Sequence, residues 1–563
     1  MDAGFSHKGK TLLSGVDPAG RADRAADAVA VAGRTLYVCP SPLFGFGLER
    51  MLARLADAPD SALLCIEADP ELFALSLIYF PAALKDNPRL RLTNLCEAAA
   101  LCAFQREEWG ARAFSRVETI RLNGGWQLFP ALYESLEQSL RQDIARDWGN
   151  AMTLTKLGRL YIRNAIRSLP RIPRFPSLES LSFGGESALV LGAGPSLDGM
   201  LDALAARFSE TQLLSEERPF RIVCVDTCLP ALRERGIKPD LAVILESQHW
   251  NLEDFIGLSG WDVPAAIDLS ALPRSGTVLS GGLYLFFTPW TRLAIFSRLD
   301  AAGLLPAAVP PMGSVGLSAV SIARRLTSGT IIAAGLDFSF TLDSYHARST
   351  AGHLGRLRRQ NRFTSLLNAQ AAFGGGVFRT ASKTGGAVFS NPSLRNYRGL
   401  FEREFSAARD EAAIAIAGGG GSAGKIFDIT GSGLPLGVDT LSPEAALDAL
   451  CSGGVPGSRK DSVPGAEPSA ESLRAFIGAE QNRLTLLRNL LTGAAPMDHA
   501  ALAALIGECD YLWAHFPDYA AAERGPAAAE LEAGSPLAIS FLKRLRAEID
   551  PFMRLWELSL SAL

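Results

Sequence analysis

The sequence predicts an α/β protein in three parts: a Rossmann-like N-terminal domain, a central domain on a doubly wound, mostly parallel sheet, and a C-terminal helical domain. Three observations carry this. Short apolar runs such as TLYVC, ALVL, RIVCV, LAVIL and TIIAA recur between helix-like stretches, and near-continuous apolar strands mark a parallel sheet buried on both faces. Glycine turns, FGFG and GAG, follow the first strand of each series, as βαβ units require. Beyond a Gly- and Pro-rich stretch the chain turns amphipathic with a helical period, as in ESLRAFIGAEQNRLTLLRNLL.

Taken in order, residues 1–32 are polar and rich in Ala, Gly and Asp, and read as a loosely held tail. Residues 33–110 form the Rossmann-like domain: strand TLYVCPSP, the turn LFGFGLER, helix ERMLARLADA, and strand ALLCIEADP ending on Glu67 and Asp69. Residues 111–185 are helical in pattern and read as a connector. The central domain spans 186–445, with strands ALVLGAG, RIVCVDT, LAVILES, AAIDLS, LYLFF and TIIAAGLDFSF, and helices LDGMLDALAARF and SVGLSAVSIARRL between them. Residues 417–424 (AGGGGSAG) and the linker 446–470 are flexible by composition, and 471–563 form the helical domain.

Lys and Arg number 55 against 59 Asp and Glu, so no basic excess is available to bind nucleic acid through its phosphates. The start MDAGFSHKGK lacks the apolar core of a secretory signal, and no run of about 18 apolar residues could span a bilayer. A cytoplasmic protein without a membrane span is expected. The eight cysteines are scattered, several inside strand-like runs, and read as buried free thiols. Cys224 and Cys228 have no partner pair at zinc spacing, and no metal site is predicted.

The stretch VLGAGPSLD is the strongest chemical signal. Gly192 and Gly194 let backbone approach an anion closely, Pro195 suits a first helical turn, and a helix start attracts phosphate. Leu197 stands where the third glycine of a dinucleotide fingerprint would be, which favours a single nucleotide; a tight βα turn without ligand is the alternative. Asp226 and Thr227, Asp240, and Glu246 then lie near strand ends, placed to bind a ribose, a sugar or a hydrated metal ion. In the plainer reading Asp226 caps a helix and Asp240 stabilises the KPD turn. Gly313 and Ser314 open another helix, a second phosphate or hydroxyl site. After the next strand Asp337, Asp343, Tyr345, His346 and His353 gather in a polar loop, where a general base for an alcohol acceptor could sit; a surface histidine without a role is the alternative.

Together VLGAGPSLD, VDTCLPALRERGIKPDLAVILES, GSVGLSAVSIARRL, AAGLDFSFTLDSYHA, TASKTGGAVFSNPSLRNYRGLFEREF and KIFDITGSGLPLGV resemble the motility-associated factor (Maf) family of bacterial flagellin glycosyltransferases. SPLFGFGLERMLARL and LLCIEADPELF resemble that family's N-terminal α/β domain. The resemblance implies a sialyltransferase-like central domain, a CMP-activated nonulosonic acid as donor, Ser/Thr hydroxyls of flagellin as acceptor, and a role in flagellar assembly and motility. It assigns Gly192, Ala193, Gly194, Pro195, Ser196, Asp226, Thr227, Glu246, Gly313 and Ser314 to the nucleotide, and Asp337, Tyr345 and His346 to the transferred sugar. Glu246 stands where the family has Asp, and DITGSGLPLG replaces a more acidic double-glycine turn, which leaves the donor and any divalent metal open. No other cofactor is implied.

The chemistry expected of such a site is phosphate stabilisation by the amides at Gly194–Ser196 and Gly313–Val315, with His346 first and Asp337 second as base. The central domain also resembles archaeal enzymes that transfer diphosphate from ATP to a hydroxymethylpterin. That reading would use Asp226, Asp240 and Glu246 on magnesium. A non-catalytic flagellin-binding motility protein is the third alternative. The FGFGLE turn resembles a methyltransferase-type nucleotide loop with Glu67 placed for a ribose.

Overall fold

The structure, a computed structural model, describes residues 4–215, 218–365, 369–406, 424–452, 468–494, 496, 498–517 and 526–563. The chain divides into two compact units, residues 1–159 with 497–545, and residues 160–496 with 546–563.

The first unit opens with an antiparallel hairpin, β1 (Phe5–His7) and β2 (Lys10–Leu13), and continues with β3 (Thr35–Pro40), β4 (Ala62–Ile66), β5 (Leu90–Thr93) and β6 (Arg116–Thr119). The last four make a parallel sheet in the order β5-β4-β3-β6. Every residue of β3 and β4 is buried, as their unbroken apolar runs require. Arg116–Thr119 lies in the segment expected to be a helical connector. Its alternation of Arg116 and Glu118 with Val117 and Thr119 suits an edge strand, which helical periodicity overlooks.

The N-terminal segment is a correction. Where described, it is folded: Lys8 and Gly9 both take positive φ and close the hairpin as a two-residue turn, and Asp17 caps the helix Pro18–Asp27. Composition hid this because charge does much of the holding. Lys8 Nζ lies 2.5 Å and His7 Nε2 3.1 Å from Asp69 Oδ2 at the end of β4, while Leu12 and Leu13 bury against Leu43 and Leu72. Glu67 does not face an open ribose site: it is buried and accepts from the Ser41 hydroxyl at 2.7 Å and the Asp69 N–H at 3.2 Å.

Asp69 also caps the helix Pro70–Tyr79 through the N–H groups of Glu71 and Leu72. Burial pushes its carboxyl up, but Lys8, the Leu72 and Glu71 N–H groups and His7 outweigh that and hold it at about 2. Its stabilisation is therefore full above the ordinary Asp value and is lost as pH falls toward 2. Asp69→Ala is expected to lose about 1–2 kcal/mol from the cap alone and to free the hairpin. Limited proteolysis at neutral pH should then cut before residue 14, where the wild type resists.

The second unit holds β7 (Ser187–Leu191), β8 (Phe220–Val225), β9 (Leu241–Ile244), β10 (Ala265–Asp268), β11 (Leu283–Phe287), β12 (Ala307–Ala308), β13 (Ile331–Ala334), the antiparallel hairpin β14 (Phe378–Ala381) and β15 (Ala387–Ser390), β16 (Ile426–Ile429) and β17 (Thr440–Leu441). Nine of these form one parallel sheet in the order β12-β11-β10-β9-β8-β7-β13-β16-β17. The chain winds outward from β7 to β12, then returns to start again at β13 on the other side of β7. The topological switch lies between the carboxyl ends of β7 and β13, where open α/β sheets bind ligands.

Helix Pro443–Ser452 occupies the start of the segment expected to be a linker; 453–467, and all of 417–424 but Gly424, lie outside the described residues. The helices after 470 are not one domain. Ala470–Thr492 joins the second unit, with Glu480 fully buried on Arg298 and Phe476 edge-on to Trp556. His499–Glu508 joins the first, where Trp513 and Phe516 pack on Phe541. Amphipathic periodicity reveals an apolar face but not which core receives it. All eight cysteines are free; Cys96 is exposed and Cys451 half-buried, against the expectation of burial, and the other six are buried.

Candidate functional site

At the switch point four loops of the second unit meet. Gly192–Ser196 leaves β7, Gly335–Asp337 leaves β13, Thr430–Leu434 leaves β16, and Gly313–Ser314 opens the helix Val315–Leu326. The glycines explain the fit. A Cβ on Gly335, which has φ +72°, would lie 2.1 Å from the Gly192 carbonyl oxygen, and one on Gly194 would lie 2.5 Å from Asp337 Oδ2. Gly192 and Gly316 both make room for the same Leu336 methyl, each leaving 2.5 Å where a Cβ would stand.

This packing changes the role expected of the glycine turn. The Gly194 N–H donates to the Gly335 carbonyl at 2.8 Å, and the Ser196 N–H donates to Asp337 Oδ2 at 2.7 Å. These amides, expected on a phosphate, are engaged within the protein. Ser314, by contrast, makes no side-chain cap, which leaves the first-turn N–H groups of the 12-residue helix Val315–Leu326 without one. Gly313 lies within reach of the Tyr397 ring.

Beneath the loops is a buried charged group that the sequence reading missed. Lys383, from the turn between β14 and β15, places Nζ 2.6 Å from Asp428 Oδ2 and acts electrostatically on Asp337. The Lys383 and Asp428 side chains are 5% and 2% exposed, and Asp337 is equally buried. Asp337 Oδ1 has no hydrogen-bond partner. Burial pushes Asp428 up to about 6 and raises Asp337 despite Lys383. A single acid inside the apolar run IFDI was the available signal for Asp428. An isolated lysine in a turn gave none.

A second group lies at the ends of β8 and β9. Asp226 accepts from the Thr227 N–H at 2.9 Å and from Asn251 Nδ2 at 2.7 Å. Thr227 Oγ1 is 3.2 Å from Asp254 Oδ2, and Asp254 was not anticipated. Burial pushes Asp226 up to about 6; burial and the Asp226 charge push Asp254 up to about 7. Glu246 is exposed at the end of β9 and adds to the field on Asp226. Asp240 does not join them. It precedes β9, on the opposite edge, and accepts from Arg218 at 2.7 Å, Arg221 at 3.2 Å and the Ile222 N–H at 2.7 Å. It is a structural ion-pair centre.

Folded carboxyls held above their ordinary values favour the folded state at low pH and cease to as pH rises through those values. Asp254→Asn, which mimics the protonated acid, is expected to raise Tm at pH 8, by roughly 2–4 °C for each kcal/mol relieved, and to leave it nearly unchanged at pH 4. Thermal scans at the two pH values check this.

The loop Phe338–Thr350 docks on the glycine turn: the Ala347 N–H donates to the Ala193 carbonyl at 3.0 Å and the Arg348 N–H to Asp198. Tyr345 stacks on Phe340 with centroids 4.6 Å apart. His346 is largely buried, its Nδ1 without a partner and pressed against Gly352. Burial, with Arg356 and His353 adding to it, pushes the imidazole down to about 4, so it is neutral at physiological pH. His353 Nδ1 instead accepts from the Ser349 N–H at 3.1 Å, and Asp343 is exposed.

Residues 163–343, which include β7 to β13, match the family model "6-hydroxymethylpterin diphosphokinase MptE-like". An uncharacterized protein of Treponema pallidum (strain Nichols) is 29% identical over 558 residues, 95% of this chain and 90% of the relative. The structure of MAf glycosyltransferase from Magnetospirillum magneticum AMB-1 has the same fold over 99% of this chain and 90% of its own, at TM-score 0.54 and 13% identity. Among the described residues, no helix is long and apolar enough to cross a membrane.

Proposed function

We propose that this chain, an MptE-like domain set within the fold of a Maf glycosyltransferase, binds a nucleotide-activated sugar at the switch point and transfers the sugar to a protein hydroxyl. The donor in this reading is a CMP-activated nonulosonic acid and the acceptor a Ser or Thr of flagellin, glycosylated in the cytoplasm in support of filament assembly and motility. One observation carries the reading. The likeness to the Magnetospirillum MAf glycosyltransferase runs through the whole chain, not the MptE-like third alone.

As the glycosidic bond breaks, positive charge grows at the anomeric carbon and negative charge on the departing phosphate. The uncapped start of Val315–Leu326, with its N–H groups and dipole, suits that phosphate better than the engaged amides of Gly194 and Ser196. Thr227, half-buried at the end of β8, is suited to a ribose hydroxyl, with the buried Asp226 holding it in place from below. His346, neutral by burial, takes the acceptor proton, with Asp337 the second candidate. His346→Asn is then expected to lower kcat by about 10²- to 10⁴-fold with little change in donor KM. Transfer rates from purified protein, donor and flagellin check this; an unchanged kcat removes His346 from the role.

The family match favours a second reading, diphosphate transfer from ATP to a pterin-like hydroxymethyl group. Asp226 and Glu246, which share one sheet edge, would hold its magnesium; Asp240 on the other edge would not. Ligand at about 100 times Kd stabilises by about 2.7 kcal/mol, so thermal shifts with CMP and with ATP–Mg²⁺ separate the readings. A shift with CMP supports the transferase, a shift with ATP–Mg²⁺ alone supports the kinase, and a shift with neither supports a flagellin-binding protein without catalysis.

A further inference from the structure

We infer that Trp250 is a stacking platform for the base of a bound nucleotide, an inference that rests on the nucleotide-donor reading above. The chain has eight tryptophans, and Trp250 alone is exposed, at 60%. Indoles are strongly buried on average, so one left in solvent calls for a reason. Its position supplies one. Trp250 lies in the turn His249–Phe255 that follows the carboxyl end of β9, on the edge where the switch point and Asp226 lie.

The turn is firmly built. Asn251, the next residue, donates to Asp226 at 2.7 Å and accepts from the Ser275 hydroxyl at 2.6 Å, and Phe255 is buried. The His249 ring lies 4.0 Å from the indole, tilted by 37°. A flat aromatic surface is thus presented to solvent on a rigid mount, the requirement for stacking a planar base.

Spacing points to a base rather than to the transferred sugar. β9 is two strands from β7 and the switch point lies half a spacing beyond β7, so the end of β9 is about 12 Å from the switch point along the sheet edge. A nucleoside monophosphate with its phosphate at the switch point and its ribose over Asp226 and Thr227, at the end of β8, brings its base to the end of β9. The transferred sugar, bonded to the phosphate, stays near the switch point itself.

Calorimetric binding of CMP and of ribose 5-phosphate, the same ligand without a base, to the full-length chain tests this. Wild type is expected to bind CMP at least tenfold more tightly than ribose 5-phosphate. Trp250→Ala should weaken CMP by about 5- to 150-fold, the range for one stacked base, and leave ribose 5-phosphate unchanged. Trp250→Phe should recover most of the loss. If Trp250→Ala binds CMP as wild type does, or if wild type binds the two ligands equally, the platform is overturned and the donor reading stands. If wild type binds neither, both are overturned. An unchanged Tm for each variant separates loss of binding from loss of fold.

Discussion

Replacing Lys383 by Met is expected to destabilise the second unit by about 3–5 kcal/mol at pH 8, the loss found when one partner of a buried ion pair is removed. Lys383 is the cation beside two buried carboxylates, Asp428 at 2.6 Å and Asp337. Without it, Asp428 must carry an uncompensated charge or take up a proton. Its carboxyl already stands at about 6 with Lys383 present, against an ordinary 3.8, and moves further up without it. The variant therefore binds a proton at pH 8 that the unfolded chain does not, and the stability difference grows as pH rises above 6. At pH 5, where Asp428 is largely protonated in both proteins, the loss should shrink. Urea unfolding at pH 5 and pH 8 measures it, and Lys383→Met with Asp428→Leu should recover most of it. Equal losses at both pH values would mean that packing, not charge, is what Lys383 supplies.

Gly335→Ala should have the second large effect. Gly335 has φ +72°, where an L side chain is disfavoured by about 1–2 kcal/mol, and its Cβ would lie 2.1 Å from the Gly192 carbonyl oxygen. Because both atoms belong to backbone, relief requires the loops after β7 and β13 to part. That parting breaks the Gly194–Gly335 bond and pulls Ser196 from Asp337. Nucleotide binding should fall below detection while the first unit's unfolding transition is unchanged. Gly257→Ala is a suitable control, with a similar φ of +81° but no atom within 4 Å of its Cβ. Binding lost equally in both variants would point to general destabilisation rather than to the switch point.

The parallel sheets were legible because buried strands leave unbroken apolar runs, and six of the nine strands of the large sheet were readable that way. Of the other three, β12 and β17 escaped because two residues carry no periodicity, and β16 because Asp428 interrupts its short apolar run; in the smaller sheet β6 escaped because it alternates. The hairpin at residues 5–13 was masked by its polar composition, since Lys8 and His7 find their partner sixty residues on at Asp69. At the site, GAGPS announced a close approach, but not of what. Its glycines admit Gly335, Leu336 and Asp337, a contact across some 140 residues that no local pattern encodes. Asp226, Thr227 and Glu246 gather on one edge; Asp240, close in sequence, is carried to the other by the direction of β9.

Intact-mass spectrometry of flagellin, from cells with and without this chain, tests the transferase most directly. The expected result is flagellin heavier by whole sugar increments when the chain is present, lost on its deletion and restored by wild type but not by Gly335→Ala. Identical flagellin masses in the presence and absence of the chain would contradict it.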